Sequence, residues 1–295
     1  MELDALHMIK YLLYGAVVIP TVFGNGLILF SVYKFKFLRS NMHILIANLA
    51  VSDLLVGAIL VPLNLISGIL GLTKHKYVCL GMLSIFVVCL GSSCINLMLI
   101  SFERYLSVMC PLKVSILRKQ KMILMIFVGW IVAVSSALPP MIGWNNYHGN
   151  ETLQCFDRNI WTTEYMNWIN GQFVAFIILN FVCYSVVMRL AVKRARQRTA
   201  RANIIQHAKG VKDLHHIVTM VIVLGSFAVC WLPYVVMFFV VQFWDSNQTD
   251  FVRRVSLIPA LMNSALNWMI YGYRNMECRK AFQTTLKRLL CRENR

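Results

Sequence analysis

Seven stretches of this 295-residue chain carry no Asp, Glu, Lys or Arg over lengths that can cross a bilayer. They are 11–33, 42–73 (interrupted by Asp53), 77–102, 122–150, 165–188, 214–244 and 255–273. Crossing about 30 Å of hydrocarbon takes roughly 20 helical residues. Helix is the workable backbone for each, because an open strand in lipid would leave its amides unpaired. The expected fold is an all-α integral membrane protein, a seven-transmembrane helix bundle forming one domain over residues 1–295. The expected spans are about 11–33, 42–68, 77–102, 122–143, 168–190, 214–241 and 255–273, with the ends of the longest stretches left to interface or loop. The chain is 58% hydrophobic and 14% charged, with a mean hydropathy of +0.63. Soluble domains have roughly 45–50% and about 25%, so a water-soluble globule and a disordered chain are both excluded.

The formal net charge of +17 would suggest nucleic acid in a soluble protein, but its placement says otherwise. Of the 29 Lys and Arg, 23 fall in 34–41, 103–121, 189–213 and 274–295, and six on the opposite side; the acids run four against seven the other way. Basic connections stay cytoplasmic, so the amino terminus is expected outside and the carboxyl terminus inside. The excess positive charge orients the chain and is assisted by anionic inner-leaflet lipid. A nucleic-acid partner is excluded. The first ten residues are polar or mildly acidic and the first apolar run is too long for a signal core, so no cleavable signal peptide is expected. No period of 20–50 residues is visible. Pro20, Pro62, Pro139, Pro140 and Pro233 fall inside the stretches, where neighbouring helices can repair a kink.

Asp53 is the one carboxylate deep inside an expected span. A charge there costs about 2.5–3.5 kcal/mol on insertion scales, so it must face the bundle and find partners. Two readings stand open: a neutral, hydrogen-bonded structural aspartate, or a buried sodium site to which Ser93, Asn263 and Asn267 add oxygens. The third stretch carries its own ruler. Cys79 and Arg104 are 25 residues apart, about 38 Å of helix, which puts Cys79 on the oxidising side and Glu103-Arg104-Tyr105 at the cytoplasm. Of nine cysteines, Cys155 is the other one in an extracellular stretch, which predicts a Cys79–Cys155 disulfide and seven reduced thiols. Cys291 ends a basic amphipathic stretch and is either a palmitoylation site or a plain free thiol.

Glu103 and Asp213 are the candidate carboxylates for Arg104. Asp213 precedes Trp231 by 18 residues, about 27 Å towards the cytoplasm, at the depth of Arg104. A bridge there would tie the inner ends of spans three and six; solvated charges at helix ends are the alternative. Asn150-Glu151-Thr152 and Asn247-Gln248-Thr249 match the N-glycosylation pattern on the side that the charges make extracellular.

These residues fall into one register over 10–290. Gly24-Asn25 lies in span one, Asn48-Leu49-Ala50-Val51-Ser52-Asp53 in span two, Glu103-Arg104-Tyr105 at the end of span three and Trp130 in span four. Tyr184 lies in span five, Phe227-x-x-Cys230-Trp231-Leu232-Pro233 in span six and Asn267-x-x-x-Tyr271 in span seven. With a signature in every span, the chain resembles the rhodopsin-like (class A) G-protein-coupled receptors. The resemblance implies a plasma-membrane receptor with no required cofactor, a sodium ion as its allosteric candidate, and a heterotrimeric G protein as partner. Arg104 would leave its carboxylates and meet the G protein when span six swings outward, with Leu112 inserting into a G-protein pocket. Tyr184 and Tyr271 would stabilise that open state, and Trp231 would relay ligand contact to the Pro233 kink. Residues 274–290 would form a short amphipathic helix 8 along the inner leaflet, in contact with membrane lipids. Activation is then a population shift between two packings. The chain departs from the family at Trp268, where a proline is usual after Asn267, at Phe176 in place of a kinking proline, and at Cys278 where Phe is common.

Several ligand classes lose their anchor. Span seven has no Lys for a retinal Schiff base, Phe86 stands where amine-binding relatives place an Asp, and the outer amino terminus is too short for a folded hormone-binding domain. Gly143-Trp144-Asn145 and the run from Cys155 through Tyr165-Met166 to Asn170 resemble adenosine receptors. Against purine binding, Phe238 replaces the amide-bearing Asn, Asp157 replaces the stacking loop Phe beside Phe156, and Ala260 and Leu261 replace the polar pair that holds ribose. A site built to hydrogen-bond a purine keeps its amide. The expected pocket lies between the outer halves of spans three, five, six and seven, lined by Phe86, Leu90, Phe156, Asn170, Trp231, Tyr234, Phe238 and Leu257. It suits a small extracellular ligand, nucleoside-like or otherwise partly apolar. For each of these residues except Trp231, plain helix packing is the alternative reading.

A seven-helix transporter or channel is the alternative function, but transporters show internal repeats and several polar groups at mid-membrane. An intramembrane metalloenzyme would need clustered ligands within spans; His215-His216 lies near the cytoplasmic start of span six without acidic neighbours in the span. No enzymatic activity is expected.

Overall fold

The computed structural model describes the backbone of residues 2–109, 119–147, 155, 157–200, 204–244 and 247–292. The side chains of 2–11, 108–109, 157–158, 191, 194–200, 204–217, 242, 247, 250 and 289–292 lie outside that description, as do Leu112, Asn150 and Phe156 entirely. Among the described residues, eight long helices make the fold: α1 Glu2–Lys34, α2 Asn41–Ile69, α3 Lys76–Met109, α4 Lys119–Ala137, α5 Thr163–Ala200, α6 Ile204–Phe243, α7 Asn247–Arg274 and α8 Met276–Arg292. Among the described residues there is no strand, only an isolated bridge from Asn145 to Trp161.

The first six helices contain segments long and apolar enough to cross a membrane. The seventh does not reach that apolarity, because Asp250, Arg253 and Arg254 crowd its outer turns and Asn263, Ser264 and Asn267 run along its middle. Those three middle side chains are buried, and α7 packs along α6 and α1 as a member of the bundle. A helix that turns its polar residues inward reads as less apolar than its lipid-facing side is.

The helices overrun the expected spans at most of their ends, and two boundaries near the cavity bear on the site. Helix α4 ends at Ala137 rather than continuing to 143. Pro139 and Pro140 lie not in the helix but in the turn after it, where the Trp144 N–H donates to the Pro139 carbonyl at 3.0 Å; two successive residues without an N–H cannot propagate a helix. Helix α5 starts at Thr163, five residues before 168, where the Thr162 hydroxyl accepts from the Tyr165 N–H at 3.3 Å. Helix α2 holds a five-residue π-turn, Val56–Leu60, just ahead of Pro62. The proline lacks the N–H that would bind the carbonyl four residues back, and the wider turn accommodates the loss.

Helix α3 is the hub, packed against α2, α4 and α5 and touching α6. Amide side chains tie the helices at membrane depth: Asn96 donates to the Leu45 carbonyl (3.3 Å), Trp130 Nε1 to Asn48 Oδ1 (3.0 Å), and Asn25 to the Ser264 carbonyl (3.0 Å). In lipid, where the apolar effect between helices is weak, such bonds and close packing hold a bundle. Gly24 is the closest approach, since a Cβ there would lie 2.0 Å from the Trp268 indole. The outer belt of exposed Phe30, Phe127, Ile178 and Val229 faces lipid.

Candidate functional site

Four layers follow one another from the disulfide end of the bundle to the Glu103–Arg104 end. In the outermost, the Cys79–Cys155 disulfide, with Cα atoms 5.6 Å apart, ties α3 to the second outer loop. Cys89, Cys94, Cys183, Cys230 and Cys278 are free, while Cys110 and the Cys291 side chain lie outside the described residues. Below the disulfide, Trp161 and Tyr165 are buried with rings edge-on at 5.2 Å, and the Tyr165 hydroxyl donates to the Ser136 carbonyl at 2.9 Å.

Under this lid lies a cavity of about 40 Å³ within a larger unfilled space of about 570 Å³ that includes its open side. Helix α3 lines it with Phe86, Leu90 and Cys94, α4 with Val132, Ala133 and Ser136, α5 with Asn170 and Phe173, and α6 with Tyr234. Phe86, Leu90, Asn170 and Tyr234 were expected there. Phe238 and Leu257 line neither this cavity nor the smaller one described below; Phe238 is buried against Phe239 and Leu257 packs with the α1–α2–α7 apolar cluster. This cavity lies between α3, α4 and α5 with Tyr234 of α6 at its edge, whereas the smaller cavity, lined by Phe86, Leu90, Trp231, Ala260 and Leu261, lies between α3, α6 and α7.

The second layer is aromatic. Trp231 meets Phe86 at 6.1 Å, Tyr234 at 6.0 Å, Phe173 at 5.2 Å and Phe227 at 5.9 Å. Three of those rings, Phe86, Phe173 and Tyr234, also line the cavity above, and Pro233 follows within α6.

In the third layer, fully buried Asp53 accepts from Asn267 Nδ2 at 2.8 Å, and the Ser264 hydroxyl stands beside its carboxylate. Among the described residues no donor reaches Oδ1 of Asp53, Asn263 or Asn267. Ser93, Asn263 and Ser264 line a second cavity of about 20 Å³, room for one water-sized particle. Of the four residues expected around a sodium ion, Ser93 and Asn263 line this space and Asp53 and Asn267 do not; oxygen groups of this kind are what hard cations take as ligands.

In the inner layer, Arg104 Nε donates to Glu103 Oε2 at 2.5 Å, and Ser107 donates to the other carboxylate oxygen at 3.2 Å. Buried Tyr184 lies near Ser101 and Arg104, with buried Tyr271 close to it, whereas Tyr105 is 37% exposed. The Asp213 side chain lies outside the described residues, so the pairing found for Arg104 is with its neighbour Glu103. At the α7–α8 junction, Asn275 Oδ1 accepts from the N–H groups of Glu277 and Cys278 at 2.9 and 3.2 Å, ending one helix and starting the next. Burial first, then the Glu277 carboxylate, pushes the Cys278 thiol up to about 12, so Cys278 packs as a neutral group.

Sequence reasoning missed Ser136, Gln172 and Trp161 in the cavity, Ser264 beside Asp53, and Pro259 inside α7. A serine or glutamine in an apolar helix carries no distance information, so nothing local marked the first two. Pro259 was visible in the sequence.

The family model described as 7 transmembrane receptor (rhodopsin family) matches residues 24–271. The chain is 25% identical to the adenosine receptor A2b of Homo sapiens over 313 residues, covering 98% of this chain and 92% of that receptor. It is 28% identical to the histamine H2 receptor of Rattus norvegicus, covering 95% and 79%, and 28% identical to the QRFP-like peptide receptor of Branchiostoma floridae, covering 96% and 77%. Three different ligand chemistries stand in those names, so the likeness carries the fold and the mode of action but not the ligand.

Proposed function

The chain belongs to the rhodopsin family of seven-transmembrane receptors and has G-protein-coupled receptor activity, and from that premise we propose that a small, partly apolar ligand in the outer cavity throws its switch. The supporting observation is the ring contact that leads inward: Phe86 and Tyr234 line the cavity and both touch Trp231, two residues before Pro233. A ligand seated against those rings repacks Trp231 and biases the bend of α6, which acts through its differential affinity for the two packings. At the other end Arg104 would exchange Glu103 and Asp213 for the G protein, Tyr184 and Tyr271 would hold the open form, and Leu112 would reach the G protein directly. The amino terminus lies outside the plasma membrane, with Asn150 and Asn247 available to glycosylation, while α8 and Cys291 meet the inner leaflet. The protein acts by promoting nucleotide exchange on its partner, without active-site chemistry of its own. Receptor relatives give the transporter or channel reading no support.

The test is a panel of nucleosides, amines and lipids applied to cells expressing the chain, with cyclic-nucleotide and calcium readouts. One class is expected to signal. Arg104→Ala should cut that signal about tenfold or more at equal surface expression, the scale of one lost charge-assisted hydrogen bond or more. Normal signalling by that variant removes Arg104 from the coupling role.

A further inference from the structure

The cavity between α3, α4 and α5 is closed above and open at its side. Above, the Tyr165 hydroxyl holds the Ser136 carbonyl, Ser84 donates to the Ala137 carbonyl at 3.0 Å, and the buried Trp161 ring covers the top. At the side, Val132 lines the cavity and is also 41% exposed on the outer surface of the bundle. Half-exposed Ser136 and Gln172 face one another across the same seam at 3.5 Å. Both helices are membrane-crossing there, within Lys119–Ala137 and Thr163–Leu190. The opening therefore meets lipid rather than water.

Among the described residues the lining contains no charged residue and no histidine. Its polar side chains are Ser136, Trp161, Asn170 and Gln172 towards the outer end and Tyr234 on α6, and Cys94, Ile95 and Phe176 form the deeper end. From Val87 to Ile95 along α3 the cavity descends about 12 Å. A polar top and an apolar bottom repeat the orientation of a lipid in the outer leaflet. The enclosed space of about 40 Å³ holds about three water molecules, which suits part of a single chain and not a fused ring system.

We propose that an uncharged single-chain amphiphile with a hydroxyl or amide head reaches this cavity from the outer leaflet through the α4–α5 seam, its head at Ser136 and Gln172 and its chain against Ile95 and Phe176. This rests on the cavity being the receptor's ligand pocket, and adds the chemistry of the ligand and its route. Its chain would lie beside Phe173, which touches Trp231.

The full-length receptor in phosphatidylcholine nanodiscs, irradiated with a monooleoylglycerol bearing a diazirine in the head-proximal half of its chain, tests it. Adducts are expected on peptides holding Ile95 or Phe176, and excess plain monooleoylglycerol removes them. Ala133→Phe, which fills the cavity, should lower those adducts about tenfold. Ser136→Ala, which deletes one hydroxyl with little risk to folding, should weaken competition about three- to tenfold, as for one neutral hydrogen bond. Val132→Trp, on the lipid face of the seam, should slow labelling. Adducts spread evenly over the lipid-facing helices and unchanged in Ala133→Phe and Ser136→Ala overturn the proposal. Loss of adducts to excess adenosine but not to monooleoylglycerol also overturns it, while leaving the cavity as the receptor's pocket. Cavity-specific adducts in a receptor silent to the whole ligand panel support it and remove the signalling reading instead.

Discussion

Asp53 has one carboxylate oxygen bound by Asn267 and another that no donor reaches among the described residues. An anion so placed in the bundle is costly by itself, and a sodium ion bound to its free oxygen would offset that cost in the packing that closes around it. Agonist affinity should fall as sodium rises, and Asp53→Asn should make the binding curve independent of sodium. Unchanged sodium dependence in that variant rejects the site. The acid and Asn267 were legible in the sequence, since a lone carboxylate in an apolar run announces itself and the spans fix its depth. Ser264 was not, because which serine of α7 turns towards Asp53 depends on helix rotation. The same limit explains Phe238 and Leu257, which line neither cavity: the direction a side chain faces is a property of packing.

At the scale of helices, α7 meets α1 through a ring set into a gap. Phe23 packs edge-on against Trp268 at 6.0 Å, and Gly24 gives the indole its room. Trp268 stands where a proline would have bent the helix, so here the α1–α7 contact is made by bulk. Gly24→Ala should destabilise the detergent-solubilised receptor by about 1–3 kcal/mol, as for overpacking, measured by thermal unfolding. Combining it with Trp268→Ala should restore part of the loss, because contacting sites are non-additive; simple additivity would sink the assignment. Seven helices and their order followed from charge-free length. Their ends did so where turn chemistry was obeyed: the Pro139-Pro140 pair held the correct stop for α4, but mean hydropathy runs on through prolines and hides it.

For the molecule as a whole, the Cys79–Cys155 bond holds the outer loop that carries Trp161 over the cavity. Cys79→Ser should cost about 2–5 kcal/mol, seen as lower thermal stability and reduced surface expression. A variant as stable as the parent would mean that the ring packing of Trp161 and Tyr165 suffices to seat the loop. The bridge could be read from topology, whereas the sideways opening could not, since no linear pattern says which seam between helices is left loose.

The widened turn in α2 has a reach beyond its five residues. One additional residue in a helix of 3.6 per turn swings everything outward of Val61 by about 100°. Alignments with relatives that run straight through this stretch must slide by one place there, or each outer position of α2 will be credited to the wrong face.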